Sequence, residues 1–426
     1  MMKAREVPKK TIVVLGCFDT KGEDFAYLRN LLLSDGNSVY TINAGIRGST
    51  DLFHVDVVAE HVAAAAGRSL ADLRSRGDRG VAVEEMGLGA AVILKGLVEE
   101  GSVAGVIGMG GGGGTHIVLK AMQAVPFGIP KVCVSTLATH DLSRQVGSSD
   151  IVLVPSVVDI AGLNSISRVT IGYAASAING MAAWRAAAEE APLVTHGRIA
   201  ISMFGNTTAC VDECSTLLRE RGYEVIPFHA NGAGGRAMES LIAGGYFDGV
   251  LDITTTELAD ELCGGVCNAG PNRLTAAAER GIPQVVVPGC LDMVNFWALD
   301  SVPQHYRSRQ LYSWSPDVTL MRTNAEENRI LGAQLAEKVG TAPGGTAVVL
   351  LPMGGLSQLD APGGPFYAPE IHAALVDSMR SGLSGGVEVV ETPLHINDRG
   401  FAALAVEVLV SLLAECEGAK KKGKNV

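Results

Sequence analysis

The N-terminal part of the chain alternates short apolar runs with longer amphipathic runs. One continuous apolar run, "TIVVLGCF", is typical of a buried strand, and "GEDFAYLRNLLLS" has apolar residues at helical spacing. The strand series continues with "SVYTIN", "VAGVIGM", "KVCVST" and "IVLVP". Buried strands that alternate with helices are typical of a parallel sheet with helices on both faces. We therefore predict an α/β fold.

The same order of elements begins again in the second half of the chain. A strand is predicted at "RIAISMF", a helix at "DECSTLLRER" and the next strand at "YEVIPF". At one constant offset, Phe18 matches Phe204 and Gly36 matches Gly222. We predict two Rossmann-like parallel-sheet subdomains that are related by a weak internal repeat. The alternative is that unrelated βαβ units simply look alike. The predicted domains are residues 1–190, residues 191–418 and a disordered basic tail at 419–426.

Charge and composition limit the classes of partner. The net charge of −11 argues against non-specific binding to nucleic acid or to an acidic membrane. No apolar run approaches the length of a membrane span, and the N-terminus lacks the pattern of a signal peptide. The eight cysteines form no zinc-type motif, so we expect no dedicated metal site. These features predict a cytoplasmic protein without nucleic-acid or membrane partners.

A run of five glycines marks the third strand-to-helix turn. It lies in "GVIGMGGGGGTHIVLKAM" and extends from Gly110 to Gly114. Ligands of open parallel sheets bind at the carboxyl ends of strands, and glycine amides without Cβ atoms let phosphate oxygens approach closely. We expect Thr115 to begin the helix and to cap it or contact the ligand. The sequence therefore predicts a bound polyphosphate; the alternative is a flexible surface loop.

The first strand-to-helix turn, "CFDTKGED", is a second candidate for phosphate contact. Thr20 and Glu23 have the spacing of a capping box, which predicts that the helix starts at Lys21. Free amides and the lysine would then face one spot, together with Mg²⁺. The alternative is an ordinary cap with a solvated lysine. A nicotinamide dinucleotide is not expected, because no acidic residue ends the strand "KVCVST" that follows the glycine loop.

The second half has polar side chains at its predicted strand ends instead of a lysine and a glycine run. Threonine hydroxyls and one arginine suit a small carboxylate or a hydroxylated metabolite better than a triphosphate. The alternative is a set of well-capped helices. The candidate substrate contacts are His229, Asn231, Arg236, Thr254, Thr255, Thr256, Glu257, Asp292, Asp360, His395 and Asp398.

Several long runs carry a resemblance to a known family. They include "TIVVLGCFDTKGEDFAYLR", "GMGGGGGT", "PSVVDIAGLNSISR", "GIPQVVVPGCLDMVNF" and "LDAPGGPFY". These runs resemble a bacterial family of uncharacterised proteins that is similar to the ATP-binding N-terminal domain of the tomato mosaic virus resistance protein. The resemblance covers nearly the whole chain. It implies two Rossmann-like subdomains, ATP bound by the N-terminal one, a homodimer, and a separate TIM-barrel protein as a partner.

The resemblance also implies positions for the nucleotide contacts. We expect an ATP-binding protein that acts as an ATP-dependent or ATP-regulated enzyme on a small carboxylate or sugar acid. The alternative is a non-enzymatic, nucleotide-sensing module that binds a partner protein. The implied contacts are Lys21, Thr50, Arg79, Gly111, Gly112, Gly113, Gly114, Thr115, Gly147, Ser148, Ser149 and Arg168.

Overall fold

The fold consists of two compact units, each of which is described by itself. In the computed structural model, the described residues are 11–189, 195–383 and 386–423. The units are Met1–Leu193 and Val194–Val426. The sequence-based division at residue 190 lies close to this division. The last helix extends to Gly423, so it includes part of the segment predicted as a disordered tail. Residues 424–426 lie outside the described residues.

The first unit is a parallel sheet whose strands alternate with helices, as the apolar runs predict. Its strands and helices are β1 (Thr11–Gly16), α1 (Phe18–Ser34), β2 (Ser38–Asn43), α2 (Ala59–Ala65), α3 (Leu70–Arg76), α4 (Arg79–Glu99), β3 (Val103–Gly110), α5 (Gly112–Met122), β4 (Lys131–Ser135), α6 (Ser143–Val146), β5 (Val152–Pro155) and α7 (Ser165–Glu189).

Both faces of this sheet are buried, which explains the continuous apolar runs of its strands. Ile12 and Val14 of β1 pack into one core with residues of α1 and α7. Val13 and Leu15 point the other way, into a core with residues of α4 and α5. The strand order is β2-β1-β3-β4-β5. Because β2 and β3 flank β1 on opposite sides, the chain leaves β1 and β3 in opposite directions, and a crevice forms above their carboxyl ends.

The second unit repeats this arrangement and extends it. Its elements are β6 (Arg198–Met203), α8 (Thr208–Glu220), β7 (Glu224–His229), α9 (Ala233–Ala243), β8 (Gly249–Thr254), α10 (Thr256–Cys263), α11 (Ala276–Arg280), β9 (Gln284–Gly289), β10 (Met293–Phe296), β11 (Leu311–Ser315), β12 (Val318–Arg322), α12 (Ala325–Val339), β13 (Ala347–Pro352), α13 (Pro369–Gly382), β14 (Glu388–Thr392) and α14 (Arg399–Gly423).

The strand order of the main sheet confirms the predicted Rossmann-like repeat. From one edge it reads β7-β6-β8-β9-β13-β14, so the first strands follow the order of the first unit. Gly36 and Gly222, which end α1 and α8, both have φ of +83°. Each occupies a left-handed position that glycine adopts without strain. The sequence did not predict the small antiparallel sheet β10-β12-β11 of the second unit.

A helix can cross a membrane only if it is long enough and sufficiently apolar. None of the helices within the described ranges combines the length and the apolar character needed to cross a membrane.

Candidate functional site

A cavity of about 480 Å³ lies in the crevice of the first unit. Its walls are the segments that follow three neighbouring strands: Cys17–Lys21 after β1, Ala44–Arg47 after β2 and Gly111–Gly114 after β3. Residues 77–79 and the first turn of α4 close one side. The cavity therefore occupies the position where parallel sheets of this strand order bind ligands.

The glycine run is divided between a strand and a helix. Gly110 is the last residue of β3, Gly111 is the N-cap of α5, and the helix begins at Gly112. The free amides of this first turn lie at the cavity, because Gly111–Gly114 line it. The prediction that Thr115 begins the helix is wrong. Its buried hydroxyl lies 2.6 Å from Ser135 Oγ and donates to the Gly110 carbonyl at 3.0 Å, so it is directed away from the cavity.

The glycines differ in whether the fold itself requires them. At Gly110, an added Cβ would lie 2.4 Å from backbone atoms of Gly114 and Thr115, so the packing of α5 on β3 excludes any side chain there. At Gly112, a Cβ would meet nothing within 4 Å, and at Gly111 and Gly114 the nearest atoms are 3.8 and 3.6 Å away. The fold alone thus does not explain why these three positions lack side chains.

Four cationic side chains line the same cavity. Lys21 and Arg79 are among the residues predicted from the sequence, and Arg47 and Arg74 are not. Two carboxylates, Asp19 and Asp78, also line it, so the formal charge of the lining is positive although the chain carries −11 overall. A concave surface that is rich in cations and faces free helix amides suits an anion.

The turn that carries Lys21 differs from the predicted one. Helix α1 begins at Phe18, its N-cap Cys17 makes no side-chain cap bond, and Lys21 is non-helical with φ −133° and ψ 29°. The predicted capping box of Thr20 and Glu23 is therefore not the start of this helix. The kink directs the Lys21 ammonium to the carbonyl of Ile160, to which it donates a hydrogen bond.

The carboxylate of Asp19 lies in the cavity wall, and one of its two oxygens has no hydrogen-bond partner. Asp19 Oδ2 accepts from the Arg47 amide at 2.7 Å. Asp19 Oδ1 is buried and has no hydrogen-bond partner. A buried carboxylate oxygen without a partner is costly unless a cation or a donor satisfies it.

Cys17 places a thiol at this cavity in surroundings that disfavour the reactive thiolate. Burial, and then the nearby Asp19 carboxylate, raise the pKa of the Cys17 thiol to about 12. The thiol therefore stays protonated, and only the thiolate is a good nucleophile. This position supports packing against a ligand instead of covalent chemistry.

The remaining predicted nucleotide contacts lie away from this cavity. Thr50 packs against Gly22, where its Oγ1 would be 2.7 Å from an added Cβ. The guanidinium of the exposed Arg168 lies 5.0 Å from the ring centroid of Tyr27. Three further predicted contacts follow α6 and are also absent from the lining: Gly147, Ser148 and Ser149.

In the second unit, the predicted threonine cluster is buried and already hydrogen-bonded. Thr254 pairs with Thr207 at 2.7 Å, and Thr255 donates to the Val287 carbonyl at 3.2 Å. Thr256 accepts from Asn295 Nδ2 at 3.2 Å. These hydroxyls have no exposed surface, so they are structural in this conformation. Thr254 and Glu257 also have the spacing of a capping box, but α10 begins at Thr256 with Thr255 as its N-cap.

Glu257 belongs to an internal ion-pair network that the sequence did not reveal. Arg273 is fully buried and donates to Glu257 Oε2 at 2.6 Å. It also pairs with both oxygens of Asp252 at 2.5 and 2.7 Å and reaches Glu239 at 3.2 Å. Buried charges of this kind must be paired, and here the network lies where strands β6 and β8 end. The region beside Asp252 of β8 is thus occupied by the unit's own side chains.

The other predicted substrate contacts are distributed over separate places. Arg236 Nη1 donates to the Asn268 carbonyl at 2.8 Å, and Asp398 Oδ2 accepts from the His395 amide at 2.8 Å. The buried Asp292 accepts from Ser357 Oγ at 2.7 Å. In the same interior region, Asp360 accepts from the Leu356 amide at 3.0 Å.

Two predicted contacts share a pocket of their own. His229 and Asn231 line an aromatic pocket at the ends of β6 and β7, which Arg236 does not reach. The predicted carboxylate site therefore does not converge in one place.

Family comparison agrees with the two-unit architecture. Residues 10–187 match the N-terminal domain of the Uncharacterised protein family (UPF0261), and residues 196–413 match its C-terminal domain. The chain belongs to this family.

Proteins that are similar in sequence to this chain include bacterial and plant proteins. The chain is 44% identical to a UPF0261 protein of Clostridium tetani over 95% of this chain and 99% of that protein. It is 44% identical to UPF0261 protein RA0729 of Rhizobium meliloti, over 93% of this chain and 98% of the relative. It is also 40% identical to the ToMV resistance protein Tm-1(GCR237) of Solanum lycopersicum, over 81% of this chain but only 47% of the plant protein.

Proposed function

We propose that the first unit binds ATP, with the triphosphate lying on the amides of Gly111–Gly114. The observation that carries this proposal is the glycine run itself. Gly111, Gly112 and Gly114 have room for a Cβ in the folded chain, yet none has one, and all three line the cavity. Missing side chains at a helix N-terminus let phosphate oxygens reach the amides, as in other phosphate loops.

The charges of the lining support a polyphosphate over a neutral ligand. Arg79 is close to the loop, since its Nη2 lies 3.5 Å from the Cβ position of Gly113. Lys21, Arg47 and Arg74 line the other walls. Charge-assisted hydrogen bonds from such groups are about twice as strong as neutral ones. The choice of ATP among the polyphosphates is supported by the sequence resemblance.

Mg²⁺ is part of the proposal, and Asp19 is the residue that would hold it. Its Oδ1 is buried, has no partner and belongs to a side chain of the cavity wall. Within the described part of the chain, no group of three or more His, Cys, Asp or Glu residues could hold a metal ion. Mg²⁺ commonly binds through one or two carboxylates together with substrate phosphates, so the ion would arrive with the nucleotide and offset its charge.

The experiment that tests ATP binding compares two glycine-to-valine variants. Gly112→Val places a branched side chain in the open space of the loop, so we expect it to fold normally and to lose ATP binding in calorimetric titration. Gly96→Val is the matched control, because a Cβ at Gly96 of α4 also meets nothing within 4 Å but does not line the cavity. If Gly112→Val binds ATP as tightly as the control, the loop is not a phosphate cradle.

Measurement of phosphate release in the same samples distinguishes an ATP-dependent enzyme from a nucleotide-sensing module that only binds ATP. An ATP-dependent enzyme should release phosphate faster when its small carboxylate or sugar-acid substrate is added. A nucleotide-sensing module that binds a partner protein should bind ATP without such release. The side chains of the cavity supply charge and amide donors, and the Cys17 thiol, with its pKa of about 12, is not available as a nucleophile.

A further inference from the structure

The second unit contains an aromatic pocket that is separate from its buried ion-pair network. The cavity measures about 350 Å³, within the range of small-molecule sites. It lies between the carboxyl ends of β6 and β7 and the small sheet β10-β12-β11. The residues that line it include Phe204, Asn206, His229, Asn295, Trp297 and Trp314.

Two carboxamide oxygens of this wall are buried without a partner. The side chains of Asn206 and Asn295 are each only 1% exposed, and neither Oδ1 has a hydrogen-bond partner. The orientation of Asn295 is fixed, because its Nδ2 donates to Asp260 Oδ2 at 2.7 Å and to Thr256 Oγ1 at 3.2 Å. A flipped amide would set two oxygens against each other. Both oxygens belong to residues that line the pocket, and a buried acceptor that is left without a donor is costly.

Aromatic rings form the rest of the wall. The rings of Phe204 and His229 stack with centroids 5.3 Å apart and planes at 21°. On the opposite side, Trp297 directly follows β10 and Trp314 lies in β11; they are 60% and 40% exposed. Exposed indole rings in a concave site offer flat apolar area at little entropic cost.

The lining carries no fixed charge. Among the described residues that form this pocket, none is Lys, Arg, Asp or Glu. Burial raises the pKa of the Cys267 thiol to about 12, so Cys267 is neutral as well. An anionic ligand would lose its hydration here without gaining a cationic partner.

We propose that this pocket binds a neutral, polyhydroxylated ring, such as a monosaccharide or a cyclitol. Ring hydroxyls would donate to the oxygens of Asn206 and Asn295, and the apolar face of the ring would pack against the tryptophans. A neutral ring differs from the small carboxylate predicted from the sequence, because the described residues of this pocket supply no lysine or arginine. The proposal does not depend on ATP binding, because the first unit contributes none of the lining residues.

The tryptophans of the chain provide a direct readout. The chain has three tryptophans, and only Trp184 lies outside this pocket. In a Trp184→Phe protein, fluorescence therefore reports on Trp297 and Trp314 alone. This protein is titrated, without nucleotide, with glucose, N-acetylglucosamine and myo-inositol. Glucuronate tests an anionic ring of similar shape, and adenosine tests a planar base.

We expect a saturable fluorescence change with at least one of the neutral rings, and weaker binding of glucuronate and adenosine. In the same background, Asn206→Ala should weaken binding about tenfold, the loss expected for one hydrogen bond. Asn272→Ala is the matched control, since this exposed asparagine lies outside the pocket, and it should have no effect.

A second variant keeps the test decisive if Asn206→Ala fails to fold. Trp297→Ala removes an exposed ring at the rim and should also weaken binding, with Trp314 as the remaining reporter. The proposal is overturned if none of the neutral rings gives a saturable change. It is equally overturned if glucuronate or adenosine binds as tightly as the best neutral ring, or if the folded pocket variants bind like the Asn272→Ala control.

Discussion

At Arg79, a positive charge is unfavourable for the helix that carries it but favourable for the proposed binding of an anion. It occupies the first position of α4, where the helix dipole disfavours a cation. Its side chain is exposed and lies beside Gly113 at the cavity. A residue that is unfavourable for its own helix yet faces a cationic crevice is more easily explained by a ligand than by stability.

Replacing Arg79 should therefore weaken ATP binding without lowering the stability of the fold. Arg79→Met keeps the apolar stem and removes the charge, so we expect ATP affinity to fall by about 1–3 kcal/mol while thermal stability is unchanged or slightly higher. Arg168→Met is the control, because Arg168 contacts Tyr27 outside the cavity. Calorimetric titration of both variants is the measurement. Equal losses in both would mean that the nucleotide extends to α7 and that the cavity does not define its site.

The surroundings of Asp292 predict that the stability of the second unit depends on pH. Burial, and then the neighbouring Asp360 carboxylate, raise the pKa of Asp292 from 3.8 to about 7. The folded state therefore holds this proton more tightly than the unfolded state. The resulting stabilisation is complete below the unfolded pKa and is lost as the pH rises through the folded pKa.

Asp292→Asn should remove this pH dependence, because an amide does not ionise. Between about pH 5 and about pH 8, the melting temperature of the wild type should fall relative to that of the variant, by roughly 2–4 °C for each kcal/mol of linked stability. Asp317→Asn, at an exposed position, is the control. Parallel melting curves for Asp292→Asn and wild type across this pH range would show that Asp292 is ionised in the folded protein.

At the scale of elements, helix α7 has an apolar face that the described residues leave exposed. Ile166, Val169, Tyr173 and Trp184 recur at helical spacing and are 46%, 48%, 69% and 74% exposed. Exposed stripes of this size, with aromatic residues, are typical of interaction surfaces. We propose that α7 contributes to the homodimer that the sequence resemblance implies.

A charge on this stripe should weaken the proposed homodimer. Tyr173→Glu would bury an unpaired carboxylate in the proposed interface, so we expect a shift toward monomer, measured by size-exclusion chromatography with light scattering. Leu52→Glu is the matched control, because Leu52 is 59% exposed and lies outside α7. If Tyr173→Glu has the molar mass of the control at every concentration, the dimer does not form through this face.

At the scale of the whole molecule, the two units share a strand order but differ in what lies at the carboxyl ends of their strands. In the first unit, the crevice after β1 and β3 is open and lined by cations. In the second, the ends of β6 and β8 are filled by the network of the buried Arg273. A common framework thus supports an open, cation-lined crevice in one unit and an internal ion-pair network in the other.

The first unit alone should therefore be sufficient for ATP binding. Its cavity is lined only by residues 17–117, which all belong to Met1–Leu193. We expect the fragment 1–193 to bind ATP with roughly the affinity of the full chain, and the fragment 194–426 to show no binding in the same titration. Circular dichroism should first show that both fragments are folded. Binding by the folded second fragment, or by neither, would contradict this division.

The sequence by itself determined the fold class, because it depends on local patterns. Continuous apolar runs identify strands buried on both faces, and the spacing of runs such as 22–34 identifies the helices between them. Gly110–Gly114 also showed from the sequence where a strand meets a helix. Left-handed glycines such as Gly36 and Gly222 marked the repeat, since few other residues accept this backbone conformation.

Only the tertiary structure decided which side chains meet. Arg47 and Arg74 join Lys21 because the fold brings segments that are distant in sequence to one crevice, and no local pattern encodes this proximity. Thr254 and Glu257 have the spacing of a helix cap, yet burial and the partners Thr207 and Arg273 give them other roles. Long-range packing outweighs the small free energy of a cap, so the sequence located the strand ends and the fold decided which of them remain open.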